Sequence, residues 1–559
     1  MDNSQIADQF SLLSKLMDIH GENSFKSKNY SIAAFNIDKL PVQLNDTPKE
    51  KIFSIKGIGE STGKKIIELL ETGELQALNE IVQKTPEGIL EMLNIKGIGP
   101  KKIATIWKEM GIETVGELLY ACKENRLKLY KGFGEKTQLN VIEIIEYYLN
   151  NKGSFLYRQI EGIEPQVTSY LEKLFTTGNV YVVGTFKRQL EVIDELEYAV
   201  NANNEEIKPK FISAHPPELL EEKSNTLLYK LTNGLRLRLY TGKQEFKNNL
   251  FRYSGSDEFI NAFTKEFPNI DLGKIQGNND IALFKSNGLN YIPPFLRESA
   301  SVIEKAKQSI PTVIQTSDIK SIIHCHSNWS DGSHTIEVMA KAAIEKGLEY
   351  LVISDHSKTA FYANGLSEER LKEQHLYVDE LNKQLAPFKI FKSIESDILN
   401  DGSLDYNNEV LATFDLVIAS VHSNLKMTEE KAMTRLIKAI ENPYTNILGH
   451  MTGRLLLSRK GYPVDHKKII DACAANNVVI ELNAHPNRLD IDWRHIEYAL
   501  EKNVLISIDP DSHFIEGFDD IRYGVLVAQK AMVTKEQNLS SFSLEDFESF
   551  LAKQKNKIS

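Results

Sequence analysis

The spacing of apolar residues changes twice along the chain and predicts three kinds of segment. Up to about residue 150, apolar positions recur at helical spacing, with a polar break at Gly21-Glu22-Asn23 that predicts a turn between two helices. From about Phe155, short apolar runs such as VYVVG and LRLRLY predict strands separated by polar loops. After Lys320, apolar strands alternate with amphipathic helices, a pattern typical of a parallel α/β architecture.

These changes predict a multidomain protein, because 559 residues exceed the size of a single core. The predicted segments are two helical ones, an α+β domain, a linker and a parallel α/β domain, at 1–85, 86–150, 151–300, 301–319 and 320–559. Hydrophobic residues make up 42% of the chain and charged residues 26%, as in soluble globular proteins. No apolar run approaches the roughly 18 residues of a membrane span, so we expect no membrane partner.

The N-terminus and the cysteines predict a cytoplasmic protein. MDNSQIADQF has no basic stretch followed by an apolar one, so nothing marks it for export. Cys122, Cys325 and Cys473 are too few and too widely separated for a disulfide framework, which fits a reducing compartment. The net charge of -11 argues against a chain covered in basic residues for nucleic acid, although local basic patches remain compatible with it.

The predicted strands of the C-terminal segment share one property, because each ends in a polar residue or in one that can bind a metal. These residues are His324 and His326 in SIIHCH, His356 in YLVISDH, Glu395 in FKSIESD, His422 in LVIASVH, His450 in NILGH, Asn483 after VVIEL, and Asp511 and His513 in LISIDPDSH. In a (β/α) barrel the carboxyl ends of the strands converge on one face, so these side chains can share one pocket. His324 and His326 are two residues apart and are expected on one side of a strand, with Asp331 folding back over them.

A single histidine at a strand end is more often an ordinary polar residue than a ligand, but the joint pattern predicts a metal centre. Imidazole and carboxylate together suit Mn²⁺, Zn²⁺ or Fe²⁺, and a bridging carboxylate suits a cluster of two or three ions. The remaining histidines of this segment are interpreted as loop or helix-surface residues; they are His334, His375, His466, His485 and His495.

The motifs HCHSNWSDG, ISDHS, IESDI, ASVHS, LGHMTGR and DPDSH resemble, in the right order, those of the PHP (polymerase and histidinol phosphatase) domain. The resemblance implies hydrolysis of phosphoesters, for which metal ions make hydroxide available near neutral pH and neutralise phosphate oxygens. It implies Glu395 and Asp511 as catalytic residues, and Arg454 as a phosphate ligand or else a salt-bridge residue. It also implies three metal sites, one with His324, His326, Glu395 and Asp511, one with Glu395, His422 and His450, and one with Asp331, His356 and His513.

An internal repeat in the helical part predicts DNA binding. KGIG occurs at 56–59 and 96–99, and a looser copy, KGFG, at 131–134. Paired glycines allow a tight turn, so that amides at the start of the next helix face a phosphate without reading the base sequence. The alternative is an ordinary glycine-rich connection between helices. The candidate DNA-binding residues are Gly57, Gly59, Lys64, Lys65, Gly97, Gly99, Lys101 and Lys102, flanked by Lys56 and Lys96.

Together with GENSFKSKNYSIAAFNI upstream, this repeat resembles the lyase and thumb region of the family X DNA polymerases. The resemblance implies that Lys65 occupies the position of the lysine that forms a Schiff base with an abasic sugar. A lysine does this only when its amine is partly deprotonated. The alternative is a helix lysine that contacts a phosphate.

The middle segment resembles the palm of the same family, since GTFKR stands where Gly-Ser-x-Arg-Arg is expected, and FRYSGS and YIPPFLRES follow. The resemblance then covers nearly the whole chain, in the order of bacterial family X polymerases with a C-terminal PHP domain. It implies an α-helical N-terminal domain with helix-hairpin-helix motifs, an α+β palm-like middle domain and a C-terminal (β/α)7 PHP barrel. Gly184, Thr185 and Arg188 are candidate phosphate or nucleotide contacts.

The catalytic carboxylates of the palm depart from the family pattern. The family holds two Mg²⁺ ions with Asp-x-Asp and a third aspartate, where this chain has Glu195, Glu197 and Arg238. A fixed positive charge that pairs with either glutamate competes with the cations, so we expect no Mg²⁺ here and little or no templated synthesis. Asp194 is close in sequence, but a shift of one residue places it on the other face of the strand.

Three functions remain open at this point. The first is a DNA repair nuclease that acts on gapped, 3′-ended or damaged DNA as a 3′–5′ exonuclease or an abasic-site endonuclease. The second is an active repair polymerase with an associated 3′–5′ exonuclease, which also binds nucleotides. The third is a phosphatase of the histidinol-phosphate type, although a free phosphomonoester does not require repeated DNA-binding hairpins.

Overall fold

The structure is a computed structural model that describes residues 1, 3–38, 40, 43–55, 58–95, 97–150, 153–211 and 216–557. The chain forms two compact units. The first comprises Met1–Lys123 and Leu127–Tyr148, and the second comprises Glu124–Arg126 and Leu149–Ser559. In the described part of the chain, no helix is both long enough and apolar enough to cross a membrane.

The first unit is helical, as its 3.6-residue periodicity predicts. Its first two helices form a pair around buried apolar side chains, with the rings of Phe10 and Tyr30 5.8 Å apart between centroids. The turn between them passes through Gly21, which has a φ of 74°. The helices are α1 (Asn3–His20), α2 (Ser24–Asp38), α3 (Lys49–Ile52), α4 (Glu60–Thr72), α5 (Gln76–Gln83), α6 (Glu87–Met92), α7 (Pro100–Lys108), α8 (Val115–Lys123) and α9 (Glu135–Asn150).

The second unit begins with a mixed five-stranded sheet in the order β2-β4-β7-β6-β5, in which β4 and β7 run parallel. Its strands, with a separate short pair of β1 and β3, are β1 (Phe155–Leu156), β2 (Val180–Val183), β3 (Val192–Ile193), β4 (Glu195–Val200), β5 (Glu218–Lys223), β6 (Thr226–Lys230) and β7 (Arg236–Tyr240). The helices are α10 (Tyr157–Glu161), α11 (Glu164–Phe175), α12 (Gly184–Lys187), α13 (Asn204–Ile207), α14 (Phe246–Arg252), α15 (Asp257–Glu266), α16 (Ile281–Ser286) and α17 (Ser301–Gln308).

Strand β4 separates two apolar clusters. Leu196 and Tyr198 point into one cluster, and Ala199 points into the other together with Phe263. Because side chains alternate along a strand, Glu195 and Glu197 lie on the same face as Ala199.

The second unit ends in seven parallel strands whose order, β14 to β8, follows the sequence. The strands are β8 (Ser321–Cys325), β9 (Tyr350–Ile353), β10 (Lys389–Asp397), β11 (Leu416–Ser420), β12 (Ile447–Leu448), β13 (Val479–Asn483) and β14 (Ile506–Asp509). The helices are α18 (Ile336–Glu345), α19 (Glu368–Leu385), α20 (Asn408–Leu411), α21 (Glu429–Ile440), α22 (His466–Asn476), α23 (Ile496–Glu501), α24 (Ile521–Lys530) and α25 (Leu544–Lys555).

The two edges of this sheet meet and make a nearly closed barrel. The amide of His326 donates a hydrogen bond to the carbonyl oxygen of Ser512 at 2.8 Å, so β8 joins the segment that follows β14. At the amino ends of the strands, Phe547 of α25 stacks on Tyr350 with 4.6 Å between ring centroids. The carboxyl ends therefore form the opposite end of the barrel. The predicted fold class, with helical, α+β and (β/α)7 parts, is confirmed.

We expect Arg297 to be the most important charged residue for the stability of the middle domain. Its side chain is fully buried and donates to both carboxylate oxygens of Asp280, at 2.7 and 3.0 Å, and to the carbonyl oxygen of Ile292 at 2.8 Å. Arg297→Ala leaves a buried carboxylate without a counter-charge, so the free energy of unfolding falls by about 3–5 kcal/mol.

The matched control is Arg252→Ala, which removes an ion pair whose partner, the Asp257 side chain, is 82% exposed; it costs less than about 1 kcal/mol. Hydrogen exchange of the β4 and β7 amides measures both effects. Tryptophan fluorescence is not suitable, because all three tryptophans of the chain lie outside this domain. Equal losses in the two variants would contradict the expectation.

Candidate functional site

The predicted metal ligands converge at the carboxyl end of the barrel. Glu395 is the centre of the group, because its Oε1 lies 3.0 Å from Nε2 of His422, 3.0 Å from Nε2 of His450 and 3.3 Å from Nε2 of His324. Its other oxygen, Oε2, lies 2.9 Å from Nδ1 of His356. A carboxylate with imidazoles around both oxygens has the geometry of a bridging ligand.

Two further groups of ligand atoms flank Glu395. Oδ1 of Asp511 lies 3.1 Å from Nε2 of His326 and 3.4 Å from Nε2 of His324. Asp331, from the loop after β8, lies 3.3 Å from Nε2 of His513 and 3.6 Å from Nε2 of His356. His326 also offers a ligand atom to the group around Asp331. The first and third metal sites expected from the sequence therefore meet at His326.

His324, near the end of β8, and His326, just after it, are not arranged as the sequence predicts. Plain alternation along a strand would place them on one side, but His324 has a φ of 60° and the pairing of β8 with β9 shifts between Ile322 and Cys325. The ring centroids of His324 and His326 are 5.2 Å apart. A non-glycine residue in this backbone region is uncommon and typical of functional sites. Asp511, with a φ of 50°, shares it.

The donor atoms of this cluster fit bound cations. Several of them are shielded from solvent and have no hydrogen-bond partner among the described residues, namely Nε2 of His324, His356 and His513, Oδ2 of Asp331 and Oε2 of Glu395. Polar atoms buried without a partner cost free energy, which a metal ion at this position would offset. Nitrogen and carboxylate donors together suit Mn²⁺, Zn²⁺ or Fe²⁺.

The charge states of two ligands, Glu395 and His326, suit metal binding directly. Burial by itself would raise the pKa of Glu395, but the imidazoles of His422, His324 and His356 outweigh it and hold the pKa well below the ordinary value. Burial, with the neighbouring His513 and His356, lowers the pKa of His326 to about 3. A carboxylate that stays ionised and an imidazole that stays neutral are the forms that bind metals.

Burial would lower the pKa of His324, His422 and His513, but the neighbouring carboxylates outweigh it and raise the pKa, to about 9 for His422. These imidazoles must therefore lose a proton to bind a metal.

Sequence reasoning missed the carboxylates that hold these histidines from behind. Glu481 of β13 contacts Nδ1 of His324, and its other oxygen accepts the backbone N–H of His450 at 2.5 Å. Asp397 lies 2.5 Å from Nδ1 of His422. Such partners fix the orientation of a metal-binding imidazole. Asp397 lies two residues after Glu395, and Glu481 lies two residues before Asn483. Both therefore stand in motifs whose predicted site residues are their neighbours.

A third such carboxylate, Glu124, belongs to the second unit and contacts Nδ1 of His513. Nε of Arg126, from the same short segment, lies 3.8 Å from Oδ2 of Asp331. His485, interpreted from the sequence as a surface residue, is buried, with Nε2 4.0 Å from Glu124. Contacts between residues this far apart in sequence leave no periodic signal.

Arg454 is engaged by protein groups. Its guanidinium donates to Oδ2 of Asp492 at 2.5 Å, to the carbonyl oxygen of Arg488 at 3.0 Å and to that of Leu489. This geometry favours the salt-bridge alternative, and a phosphate role for Arg454 stays a prediction without geometric support. Nε of Arg488, by contrast, lies 3.8 Å from Oδ2 of Asp511, at the edge of the ligand cluster.

In the middle sheet, Glu197 is held by the turn that precedes it. Gly184 has a φ of 71°, and a Cβ there would lie 1.8 Å from Oε2 of Glu197, so only glycine fits this close approach. The Thr185 amide donates to that oxygen at 2.8 Å, and the Tyr240 hydroxyl donates to Oε1 at 2.8 Å. Glu197 therefore closes a local hydrogen-bond network.

Glu195 is paired with Arg238. Two of the three guanidinium nitrogens, Nε and Nη2, donate to its carboxylate, and the contact from Nη2 is 3.0 Å long. Asp194 is exposed on the other face of the strand, where it accepts a hydrogen bond from Ser154 at 2.6 Å. Arg188 donates through Nε to Glu298 at 3.1 Å. The residues that the resemblance places at the positions of the polymerase carboxylates thus form an ion pair, Glu195 with Arg238, and a hydrogen-bond network around Glu197.

The glycine hairpins of the first unit repeat in structure as they do in sequence. Gly59 (φ −80°, ψ 169°) and Gly99 (φ −84°, ψ 168°) precede α4 and α7 in the same conformation, and a Cβ at either would meet nothing within 4 Å. Gly97 has a φ of 90°. The space beside both glycines is thus unobstructed at the amino ends of α4 and α7, where a helix can bind a phosphate.

The lysines beside these hairpins differ in exposure. Lys64 and Lys101 are exposed, whereas Lys65 and Lys102 are half-buried. Nζ of Lys64 lies 2.8 Å from Glu60. Lys56, Gly57 and Lys96, also expected at the DNA interface, lie outside the described residues.

Family models match three parts of the chain. A helix-hairpin-helix domain matches residues 1–75, a SAM-like helix-hairpin-helix tandem matches residues 89–146, and a PHP domain matches residues 323–485. The first two matches contain the glycine hairpins, and the third contains most of the metal ligands.

Among curated proteins, the DNA polymerase/3′-5′ exonuclease PolX of Bacillus subtilis (strain 168) is 31% identical over 554 residues, which is 96% of each chain. A probable phosphatase of Acetivibrio thermocellus is 27% identical over 256 residues, 43% of this chain and 99% of that protein. Another, of Thermoanaerobacter sp. (strain X514), is 24% identical over 257 residues, 43% of this chain and 98% of that protein. Because the first similarity spans both chains from end to end, this protein belongs to the bacterial PolX family, with helix-hairpin-helix domains and a C-terminal PHP domain.

Proposed function

We propose that this PolX-type enzyme is a DNA repair nuclease. Its PHP domain hydrolyses DNA phosphodiesters, as a 3′–5′ exonuclease or at abasic sites, while templated synthesis is weak or absent. The observation that carries the proposal is a contrast between two sets of carboxylates. Glu395 faces imidazole nitrogens with open donor atoms, whereas Glu195 is paired with Arg238. The printed name of the Bacillus subtilis relative includes a 3′-5′ exonuclease, which supports the nuclease part.

The barrel residues would hold two or three Mn²⁺, Zn²⁺ or Fe²⁺ ions, with Glu395 as the bridging ligand. When bound, such ions lower the pKa of water and neutralise phosphate oxygens. The chain itself keeps Glu395 ionised and His326 neutral, orients His324 through Glu481 and buries the ligand atoms away from bulk water. With metal ions bound, a site with these features would favour a negatively charged substrate such as a phosphodiester.

The helix-hairpin-helix domains would hold the DNA. The space beside Gly59 and Gly99, just before α4 and α7, is unobstructed, and a helix amino end attracts a phosphate through its dipole and its free N–H groups, which in α7 begin after Pro100. Contacts of this kind bind the backbone of any sequence, which suits gapped, 3′-ended or damaged DNA.

The buried cysteine thiols agree with the expected cytoplasmic location.

The second candidate is an active repair polymerase with an associated exonuclease. The printed name of the Bacillus subtilis relative, which includes DNA polymerase, favours it. The Arg238–Glu195 pair argues against it, because two Mg²⁺ ions would have to displace a guanidinium from its carboxylate. A small-molecule phosphatase has less support, since the relatives named as probable phosphatases align with only 43% of this chain.

Nuclease activity should depend on the barrel ligands. We expect His324→Ala and Glu395→Ala each to lower cleavage of 3′-recessed, gapped or abasic duplexes with added Mn²⁺ by more than about 100-fold, since even residues behind metal ligands contribute 10- to 100-fold. Metal content measured on the same samples should fall as well. His466→Ala is the matched control, because His466 stacks on His495 away from the cluster. Full activity in both ligand variants would contradict the proposal.

Primer extension tests the middle sheet. In a His324→Ala background, which prevents loss of the primer, we expect little or no extension with Mg²⁺ or Mn²⁺ and no further change on Glu197→Ala. The physical reason is that Glu197 already accepts hydrogen bonds from Thr185 and Tyr240 and is not available to a metal. Strong extension that Glu197→Ala abolishes would establish the polymerase alternative.

A further inference from the structure

The loop that follows the ligand His356 carries two aromatic side chains that the proposed function does not use. Phe361 and Tyr362 stand in a short 3-10 turn, Phe361–Ala363, between β9 and α19. Phe361 is 83% exposed, more than any other large apolar residue in the described part of the chain. Tyr362 presents a hydroxyl that is shielded from solvent and has no hydrogen-bond partner among the described residues.

The loop is held firmly, so the exposure of Phe361 does not come from a loose segment. The Thr359 amide donates to Asp405 at 2.7 Å, and its hydroxyl donates at 2.9 Å to Asp397, the residue beside His422. The Leu366 amide donates to the carbonyl oxygen of His356 at 2.9 Å. These bonds tie the loop to the strand ends that carry the metal ligands.

The two rings lead from the metal ligands to solvent. The centroid of the Tyr362 ring lies 6.5 Å from that of His356, and the Phe361 ring packs edge-on against Tyr362 at 5.9 Å. Exposure rises in the same order, because His356 is 1% exposed, Tyr362 is half-buried and Phe361 is mostly open. A substrate with its phosphate at the ligands and the rest of its body on this side of the site would pass these rings.

We propose that Phe361 and Tyr362 form a subsite for the nucleotide at the 3′ end of a DNA strand. The Phe361 ring stacks on the nucleobase, and the Tyr362 hydroxyl donates a hydrogen bond to an oxygen of the adjoining phosphate. This subsite rests on the proposed function, since it needs a strand end at the metal ligands. The subsite would bind a nucleotide more tightly than a simple phosphate ester, because only the nucleotide has a base that stacks on Phe361.

The chemistry of both side chains fits these roles. Every base has an aromatic face, so stacking on a phenyl ring binds a strand end without selecting its sequence. A phosphate oxygen is a charged acceptor for the tyrosine hydroxyl. A buried hydroxyl without an acceptor is unfavourable in the free protein, and the substrate would remove that cost.

The test compares kcat/KM for two single strands, one with normal 3′-terminal nucleotides and one whose last two nucleotides are tetrahydrofuran abasic residues. For Phe361→Ala we expect a loss of roughly 5- to 150-fold on the normal strand and almost none on the abasic strand. The wild-type enzyme should lose a similar factor on the abasic strand. Phe361→Trp should retain activity, and Leu376→Ala, which removes another exposed apolar side chain from α19, should act like wild type.

Tyr362→Phe keeps the ring that supports Phe361 and removes only the hydroxyl. We expect it to lower kcat/KM on both strands alike, by roughly 10- to 150-fold, with unchanged metal content. If Phe361→Ala lowers activity equally on both strands, or Tyr362→Phe has no effect, the subsite is wrong while the nuclease proposal stands. If the wild-type enzyme cleaves the duplexes but neither single strand, the subsite is wrong and the nuclease proposal stands. If it cleaves neither the strands nor the duplexes, the proposed function itself fails and the subsite fails with it.

Discussion

The burial of Glu395 among imidazoles is the constraint on which the C-terminal domain depends. A carboxylate removed from water is costly unless opposite charges or metal ions surround it. Here four histidines lie within 3.3 Å of its oxygens, each supplied by a different strand or the loop after it. The barrel makes this possible, because parallel strands deliver their carboxyl ends to one place. Glu481 and Asp397 then fix the imidazoles from behind, so the donor atoms face each other and remain open.

The middle sheet meets the same cost in a different way. Its two glutamates also stand on one face of a strand, but protein groups satisfy them. Arg238 neutralises Glu195, and Thr185 and Tyr240 donate to Glu197. A guanidinium is part of the chain and does not exchange with solvent as a bound water molecule does. This arrangement therefore favours an ion pair within the protein over the binding of metal ions. The fully buried Glu395 and the half-buried Glu195 and Glu197 are thus stabilised in two ways that have opposite consequences for metal binding.

The hairpins of the first unit work by a simpler principle. Gly59 and Gly99 leave the backbone uncovered at the start of α4 and α7, and the helix dipole favours an anion there. This requires local backbone geometry and little else, which is why one sequence repeat produces two nearly identical conformations. The carboxyl end of the barrel, in contrast, depends on contacts between residues at the ends of different strands, such as His422 with Asp397, 25 positions apart, and His326 with Asp511, 185 positions apart.

The sequence by itself determined the order of the domains, the (β/α)7 barrel, the hairpins and the identity of the metal-type residues at the strand ends. The order of the segments and the strand-end residues, such as Glu395 near the end of β10, follow from local periodicity, the hairpins follow from the glycine repeat, and the (β/α)7 barrel follows from the resemblance to the PHP domain. The sequence also led us to expect that Arg238 stands where the resembled family has a carboxylate. It left open whether Arg238 would meet Glu195 or Glu197, because that depends on how side chains extend between neighbouring strands.

Only the tertiary structure decided which side chains meet across the fold. It brought Glu481 behind His324, engaged Arg454 with Asp492, and bent β8 at His324 so that two histidines converge through an irregular strand end. The physical reason is that a hydrogen bond or ion pair forms only when its two atoms are about 3 Å apart. Packing sets this distance, and the spacing of residues along the sequence does not determine it.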